Sequence, residues 1–217
     1  GNVIYPYAVL GAEPQDLKYR GSDTTLEIGN GNRIREHATI HRGTEHGGGK
    51  TVIGDDCLLM VGAHVAHDCV IEDQVVIANG AMLGGHCRVE FGCRIAGGAG
   101  VHHFATVGRL SFIGGMARIT KDVPPYLVVE GNPAEARMVN PTELIRGGWS
   151  LEDGSSEIAA TIRPLCRCWP PRTSGTCTER TSCSTGCRCR SSRGSAWGSS
   201  GGTGQARARW SRSCAGG

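Results

Sequence analysis

Between residues 53 and 119 an aliphatic residue returns at every sixth position twelve times: Ile53, Leu59, Val65, Ile71, Ile77, Leu83, Val89, Ile95, Val101, Val107, Ile113 and Ile119. Four places after each stands a small or β-branched residue, from Cys57, Ala63 and Cys69 through to Ser111, Ala117 and Val123. A helix repeats about every 3.6 residues and an ordinary strand every two, so a strict period of six needs short strands broken by regular corners. Stacked coils of that unit turn both phases inward and predict an all-β parallel solenoid of hexapeptide repeats. The glycines directly after the aliphatic, Gly54, Gly84, Gly108 and Gly114, are expected to make the corners.

Residues 1–40 keep the period more loosely, through Ile4, Leu10, Ile28, Ile34 and Ile40. Two polar excursions interrupt it. The first is Glu13-Pro14-Gln15-Asp16-Leu17-Lys18-Tyr19-Arg20-Gly21. The second, residues 42–50, contains Gly47-Gly48-Gly49 and puts Ile53 thirteen residues after Ile40. Insertions in a solenoid emerge from one side and often build the binding site. The repeat stops at Asp122-Val123-Pro124-Pro125-Tyr126, because proline supplies no ladder donor and constrains the residue before it. Beyond it Gly131-Asn132-Pro133-Ala134 reads as a turn, and residues 141–145 and 157–165 are weak helix candidates. The expected division is a β-helix over 1–126, a turn and helical remnant over 127–165, and a tail over 166–217.

Composition separates that tail from the rest. Residues 166–217 contain no Val, Ile, Leu, Met or Phe, and carry nine Arg against one Glu. Their net charge of +8 leaves −5 for residues 1–165 out of the whole chain's +3. The apparent basicity therefore does not mark a nucleic-acid-binding body. The tail cannot bury enough apolar surface to offset the entropy of ordering, so it reads as disordered or as a shifted reading frame. No apolar run approaches the ~20 residues that span a bilayer, and no signal peptide opens the chain. The start at Gly1, in mid-pattern and without Met, suggests a missing N-terminus. Of the eleven Cys, Cys57, Cys69, Cys87 and Cys93 fall on the small inward position, where Cys is a small hydrophobe, and no CxxC pair occurs.

Six of the eight His lie between residues 34 and 86: His37, His41, His46, His64, His67 and His86. A single His on a solenoid is usually a solvated surface residue. His67, however, is followed at once by Asp68, and a carboxylate beside an imidazole fixes its tautomer and raises its basicity, as a general base near neutral pH requires. Three His could instead hold zinc, as in the solenoid γ-class carbonic anhydrases.

Several motifs together resemble a known family. They are Ile34-Arg35-Glu36, Ile40-His41-Arg42-Gly43-Thr44, Ala63-His64-Val65-Ala66-His67-Asp68-Cys69, Gly84-Gly85-His86 and Asp122-Val123-Pro124-Pro125-Tyr126, with the Gln15-Asp16-Leu17-Lys18-Tyr19 loop. Over about residues 1–150 the chain resembles the UDP-N-acetylglucosamine O-acyltransferases that begin lipid A synthesis. The resemblance implies a left-handed parallel β-helix, a cytoplasmic homotrimer, and no cofactor or metal. It implies transfer of a (3R)-3-hydroxyacyl group from acyl carrier protein to the glucosamine 3-hydroxyl. His67 then matches the general base, Asp68 the residue that orients it, and Gly85 the backbone N–H donor to the oxyanion. Asp16, Lys18, His41, His64 and His86 match substrate contacts, with Gln15, His102, Asn140 and Arg146 as further candidates. Gly115 matches the position that sets acyl-chain length. His103 stands where the family usually has Gln, and Gly147 where it has a second Arg. A related N-acyltransferase of the same pathway is the alternative, against which His67-Asp68 in place of His-Asn argues. A scaffold that has lost catalysis is another.

Overall fold

The computed structural model describes residues 1–140 together with Thr142 and Ile145. Nineteen strands fall among them, most only two residues long. They form three sheets, of eight, six and five strands, and up to Ile119 successive strands visit the three in rotation. Leu58 pairs with Val76, Val76 with Arg94 and Arg94 with Phe112, all parallel and each eighteen residues on. Three hexads therefore make one coil of a three-sided prism. Every aliphatic of the series from Ile53 to Ile119 is buried, and so is every small residue four places after it. Burying a Val, Leu or Ile side chain stabilises by about 1.5–3 kcal/mol, so each coil adds three such contributions to one continuous core. Cys57, Cys69, Cys87 and Cys93 are free thiols within that core. Burial pushes Cys57 up to about 11 and Cys93 up to about 12, which leaves both unreactive.

The corners are not where the glycines suggested. Each sits three residues after the inward aliphatic, and the backbone there is left-handed in eleven successive hexads, from Asp56, Gly62 and Asp68 through His86 to Phe104, Leu110 and Met116. Gly54, Gly84, Gly108 and Gly114 do not have positive φ. They serve close approach instead. A Cβ on Gly84 would lie 2.8 Å from the backbone nitrogen of His103, and one on Gly108 would lie 2.5 Å from that of Pro125, each one coil further on. Seven of the eleven left-handed corners carry a side chain, at a cost that only the surrounding coils make tolerable.

Both excursions leave the prism at the same edge. Residues 13–24 connect Val9–Ala12 of the six-stranded sheet to Thr25–Ile28 of the five-stranded sheet, and residues 42–49 connect Thr39–His41 to Lys50–Ile53 of the same two. Ile4 consequently pairs with Ile34, thirty residues on, and Ile28 with Ile53, twenty-five on, before the spacing settles at eighteen. After the double proline, Leu127–Glu130 adds in parallel to the eight-stranded sheet. Glu135–Val139 folds back on it antiparallel, with the turn over 131–134 between them. Apart from Thr142 and Ile145, the two helix candidates and the tail 166–217 lie outside the described residues. Among the described residues no helix is long and apolar enough to cross a membrane.

Candidate active site

The edge that carries the two loops also carries the histidines. His67 and Asp68 lie between the strands His64–Val65 and Val70–Ile71, and Gly85 and His86 between Met82–Leu83 and Arg88–Val89. These are the same turn from the six- to the five-stranded sheet, one and two coils below the second loop. Phe104 occupies it one coil later. The eighteen-residue repeat thus stacks His67, Gly85 and neighbouring groups into a column that no local pattern of the chain displays.

Asp68 is the fixed point of the column. Its side chain is fully buried, 0 % exposed, and its two oxygens accept from one residue of the second loop. Oδ1 accepts the Thr44 N–H at 2.8 Å and Oδ2 the Thr44 hydroxyl at 2.7 Å. The Asp68 N–H in turn donates to Thr51 Oγ1 at 2.8 Å. Oδ2 also stands 2.7 Å from His67 Nδ1. With the carboxylate accepting, Nδ1 carries the imidazole proton and Nε2 keeps its lone pair, the tautomer of a base. His67 itself is only partly exposed, and its Nε2 has no hydrogen-bond partner among the described residues.

The backbone of Gly85 abuts that ring. At the next edge of the prism several N–H groups two places after the inward aliphatic are taken by a carboxylate: Asp55 N–H donates to Asp73, Phe91 N–H to Glu72 and Arg109 N–H to Glu90. The equivalent Gly85 N–H has no partner among the described residues. A free N–H beside an imidazole with an open Nε2 suits the needs of an oxyanion. His86 packs edge-on against His67 at 5.1 Å between centroids, and Phe104 stacks on its other side at 4.4 Å. Burial holds His86 below the ordinary histidine value, against the opposing pull of Asp68.

The first loop brings Asp16 and Lys18 to the same edge. Asp16 Oδ1 accepts the Lys18 N–H at 2.9 Å and Oδ2 lies 3.0 Å from His46 Nε2. That backbone donor, and then His46, hold the Asp16 carboxyl below its usual range. The exposed Lys18 ammonium has no ion-pair partner among the described residues, which suits a cation awaiting an anion. Gln15 is exposed beside it. His41 and His64 pack edge-on at 5.3 Å, and His64 Nδ1 lies 2.7 Å from Thr39 Oγ1. Burial lowers both. His64 opens a groove of about 310 Å³ along the six-stranded sheet, lined also by Ala66, Met82, Gly100, His102 and Arg118.

Two candidates stand apart within one chain. Asn140 is buried at the edge between the five- and eight-stranded sheets, where its Nδ2 donates to the Leu110 carbonyl at 3.1 Å. Gly115 follows the strand Phe112–Ile113 of the eight-stranded sheet, on the edge across the six-stranded sheet from His67. Arg146 lies outside the described residues. Conversely, Thr44, Thr51, Phe104 and His46 contact the cluster without having been assigned a role from sequence. Thr44 and Thr51 lie 24 and 17 residues from Asp68, on either side of the phase break, where no spacing rule reaches them.

His67, Asp68 and His86 offer ligand atoms within 4.8 Å of one another, close enough to converge on a metal ion. The donor set fits poorly. The two Asp68 oxygens already accept from Thr44 and face His67 Nδ1, so a metal would have to break the contacts that hold the carboxylate.

Fold and repeat place the chain among the hexapeptide-repeat proteins, and the family model "Bacterial transferase hexapeptide (six repeats)" matches residues 50–85. The chain is 54 % identical over 156 residues to the acyl-(acyl-carrier-protein)–UDP-N-acetylglucosamine O-acyltransferase of Synechocystis sp., covering 72 % of this chain and 56 % of the relative. With the enzyme of that name from Gloeothece citriformis it is 53 % identical, over 77 % of this chain and 60 % of the relative. The crystal structure of the UDP-N-acetylglucosamine O-acyltransferase of Moraxella catarrhalis superposes with a TM-score of 0.73 at 43 % identity, covering 80 % of this chain and 67 % of the other. The chain belongs to the UDP-N-acetylglucosamine O-acyltransferase family, and its prism is a left-handed parallel β-helix. It spans little more than half the length of the curated relatives it matches.

Proposed function

We propose that the chain transfers a (3R)-3-hydroxyacyl group from acyl carrier protein to the glucosamine 3-hydroxyl of UDP-N-acetylglucosamine. The observation that carries the reading is the His67–Asp68 pair set against the unpartnered Gly85 N–H. His67 Nε2 takes the proton of the 3-hydroxyl as its oxygen attacks the thioester carbonyl, and Asp68 steadies the imidazolium that forms. The carbonyl oxygen, now an anion, accepts from Gly85 N–H. Collapse of the tetrahedral intermediate breaks the carbon–sulfur bond, and His67 returns its proton to the departing carrier thiolate. In this reading Lys18 binds the diphosphate, and His41, His64 and His86 make the sugar and acyl contacts. The carrier protein and the nucleotide sugar are the partners, and the reaction belongs to the cytoplasm.

The active form in this reading is a homotrimer with the site between neighbouring chains. Exposed apolar side chains beside the groove support it, with Met82 55 % and Phe104 66 % exposed. Neighbouring chains would also bring distant candidates such as Gly115 and Asn140 toward a His67. The test is product formation from UDP-N-acetylglucosamine and 3-hydroxyacyl carrier protein, followed by mass. The chain and a version extended to the relatives' length should both be assayed, each with its His67→Ala variant. O-acylated sugar nucleotide from the parent and none from the variant is expected. Equal product from parent and variant would remove His67 from the mechanism.

A further inference from the structure

We infer that Thr44 is a positioning residue of the dyad, so that the second loop exists at this edge to bury and orient Asp68. The inference rests on the reading of His67 as the base. Three observations carry it. Thr44 is itself fully buried and spends both its donors on the two oxygens of one carboxylate. The loop then turns back over that carboxylate at Gly47, where a Cβ would collide with the Asp68 carboxyl group itself. Thr44 also closes the turn, accepting N–H bonds from Gly47 at 3.1 Å and Gly49 at 2.9 Å on its own carbonyl. The seven extra residues of this coil therefore make a cap with the hydroxyl aimed at Oδ2, the oxygen that faces His67 Nδ1.

The consequence is electrostatic as well as geometric. A hydroxyl donated to Oδ2 draws charge from the oxygen that stabilises the imidazolium. Without it, the carboxylate holds the His67 proton more firmly and the pair becomes more basic. The titratable groups facing His67 are Asp68, His86, His41 and Asp16, and His46 faces Asp16. Of these, only Asp68 bonds Thr44.

The experiment is a pH titration of the His67 ring by NMR in the chain, with its signal assigned by loss in His67→Gln. Thr44→Val keeps the shape and removes the hydroxyl, and Thr44→Ser keeps the hydroxyl. The His67 ring of the Val variant should titrate above that of the parent, and that of the Ser variant should return to the parent value. In the acyl-transfer assay the Val variant should lose about tenfold in kcat with KM nearly unchanged, less than the roughly 10²-fold of losing the base. If Thr44→Val does not fold, Thr44→Ala serves as the hydroxyl-free variant. A hydroxyl-free variant that titrates with the parent, or a folded Ser variant that does not restore the value, overturns the inference. The two failures are separable. If His67→Ala keeps parental turnover the catalytic reading falls, and the titration still decides Thr44. If His67→Ala is inactive and Thr44→Val titrates normally, Thr44 alone falls.

Discussion

A Cβ added to Gly85 would lie 2.5 Å from Cε1 and 2.7 Å from Nε2 of His67. Those distances are far inside van der Waals contact, so any side chain at 85 must push the base aside. The backbone would not object, because Gly85 is not in a left-handed conformation. Gly85→Ala should therefore fold and lose turnover. The expected loss is at least about 10²-fold, the scale of a misdirected base or a disturbed oxyanion donor. Thermal melting beside single-turnover rates checks it. An active Gly85→Ala would mean that the imidazole does not work from this position.

His67→Ala should lower turnover by at least about 10²-fold with little change in melting temperature, since the side chain lies at the edge and outside the core. Asp68→Asn tests the tautomer. Its Oδ1 equivalent can keep the Thr44 N–H, and its amide nitrogen then faces His67 Nδ1. Nδ1 would have to accept, the proton would move to Nε2, and the base would be lost. The structure therefore predicts a loss close to that of His67→Ala, whereas orientation alone would cost less. A pH–rate profile of the two variants distinguishes these outcomes.

The hexads from Ile53 to Ile119 were legible because one period governs both the covalent chain and the stack. Each inward aliphatic meets another eighteen residues away, so the pattern that buries one buries all. The corners were less legible because two demands on glycine look alike in sequence. Gly84 avoids the backbone of His103, whereas Gly62 relieves a positive φ. His67 and Asp68 are neighbours in the chain and could be paired on sight. Gly85 and His86 could be placed only by the resemblance, and Thr44 and Phe104 not at all. Their contacts with the cluster depend on coil stacking and on a loop whose length breaks the phase.

Burial lowers the proton affinity of His41 and His64 below the ordinary value of 6.5. A folded-state value below the unfolded one means that the unfolded chain binds more protons as pH falls. Their contribution to stability is thus fully present above about pH 6.5 and is lost as pH falls through the depressed folded values. The midpoint of denaturant unfolding should drop between neutral pH and the lower values. His64→Gln, which can keep a bond to Thr39, should flatten that drop. An unchanged slope in the variant would show that His64 is not responsible.

Metal analysis of chain purified without chelator should find no stoichiometric zinc, and chelator should leave acyl transfer intact. The reason is the saturation of Asp68 by Thr44 and His67. One zinc per chain with activity lost to chelator would instead favour a hydratase-like site at His67, Asp68 and His86.

Acyl-chain length is the remaining prediction, and it concerns Gly115. The groove from His64 runs along the six-stranded sheet to Arg118 and Ile119, and Gly115 lies on the edge just before that last strand. A Cβ at 115 would meet only the Gly97 carbonyl oxygen, at 3.5 Å, an ordinary contact, and the backbone there is not left-handed. A larger side chain is thus tolerated by the fold and must project outward, beside the groove. With glycine the far end stays open, so a longer 3-hydroxyacyl chain should be preferred. Gly115→Met should shift the preference toward a shorter chain by filling that end. The neighbouring Met116 is the rival, since it is 76 % exposed on the same corner, and Met116→Gly separates the two. The measurement is competition between short and long 3-hydroxyacyl carrier-protein donors with parent and both variants. If Gly115→Met leaves the chain-length profile unaltered while Met116→Gly lengthens it, the ruler is Met116.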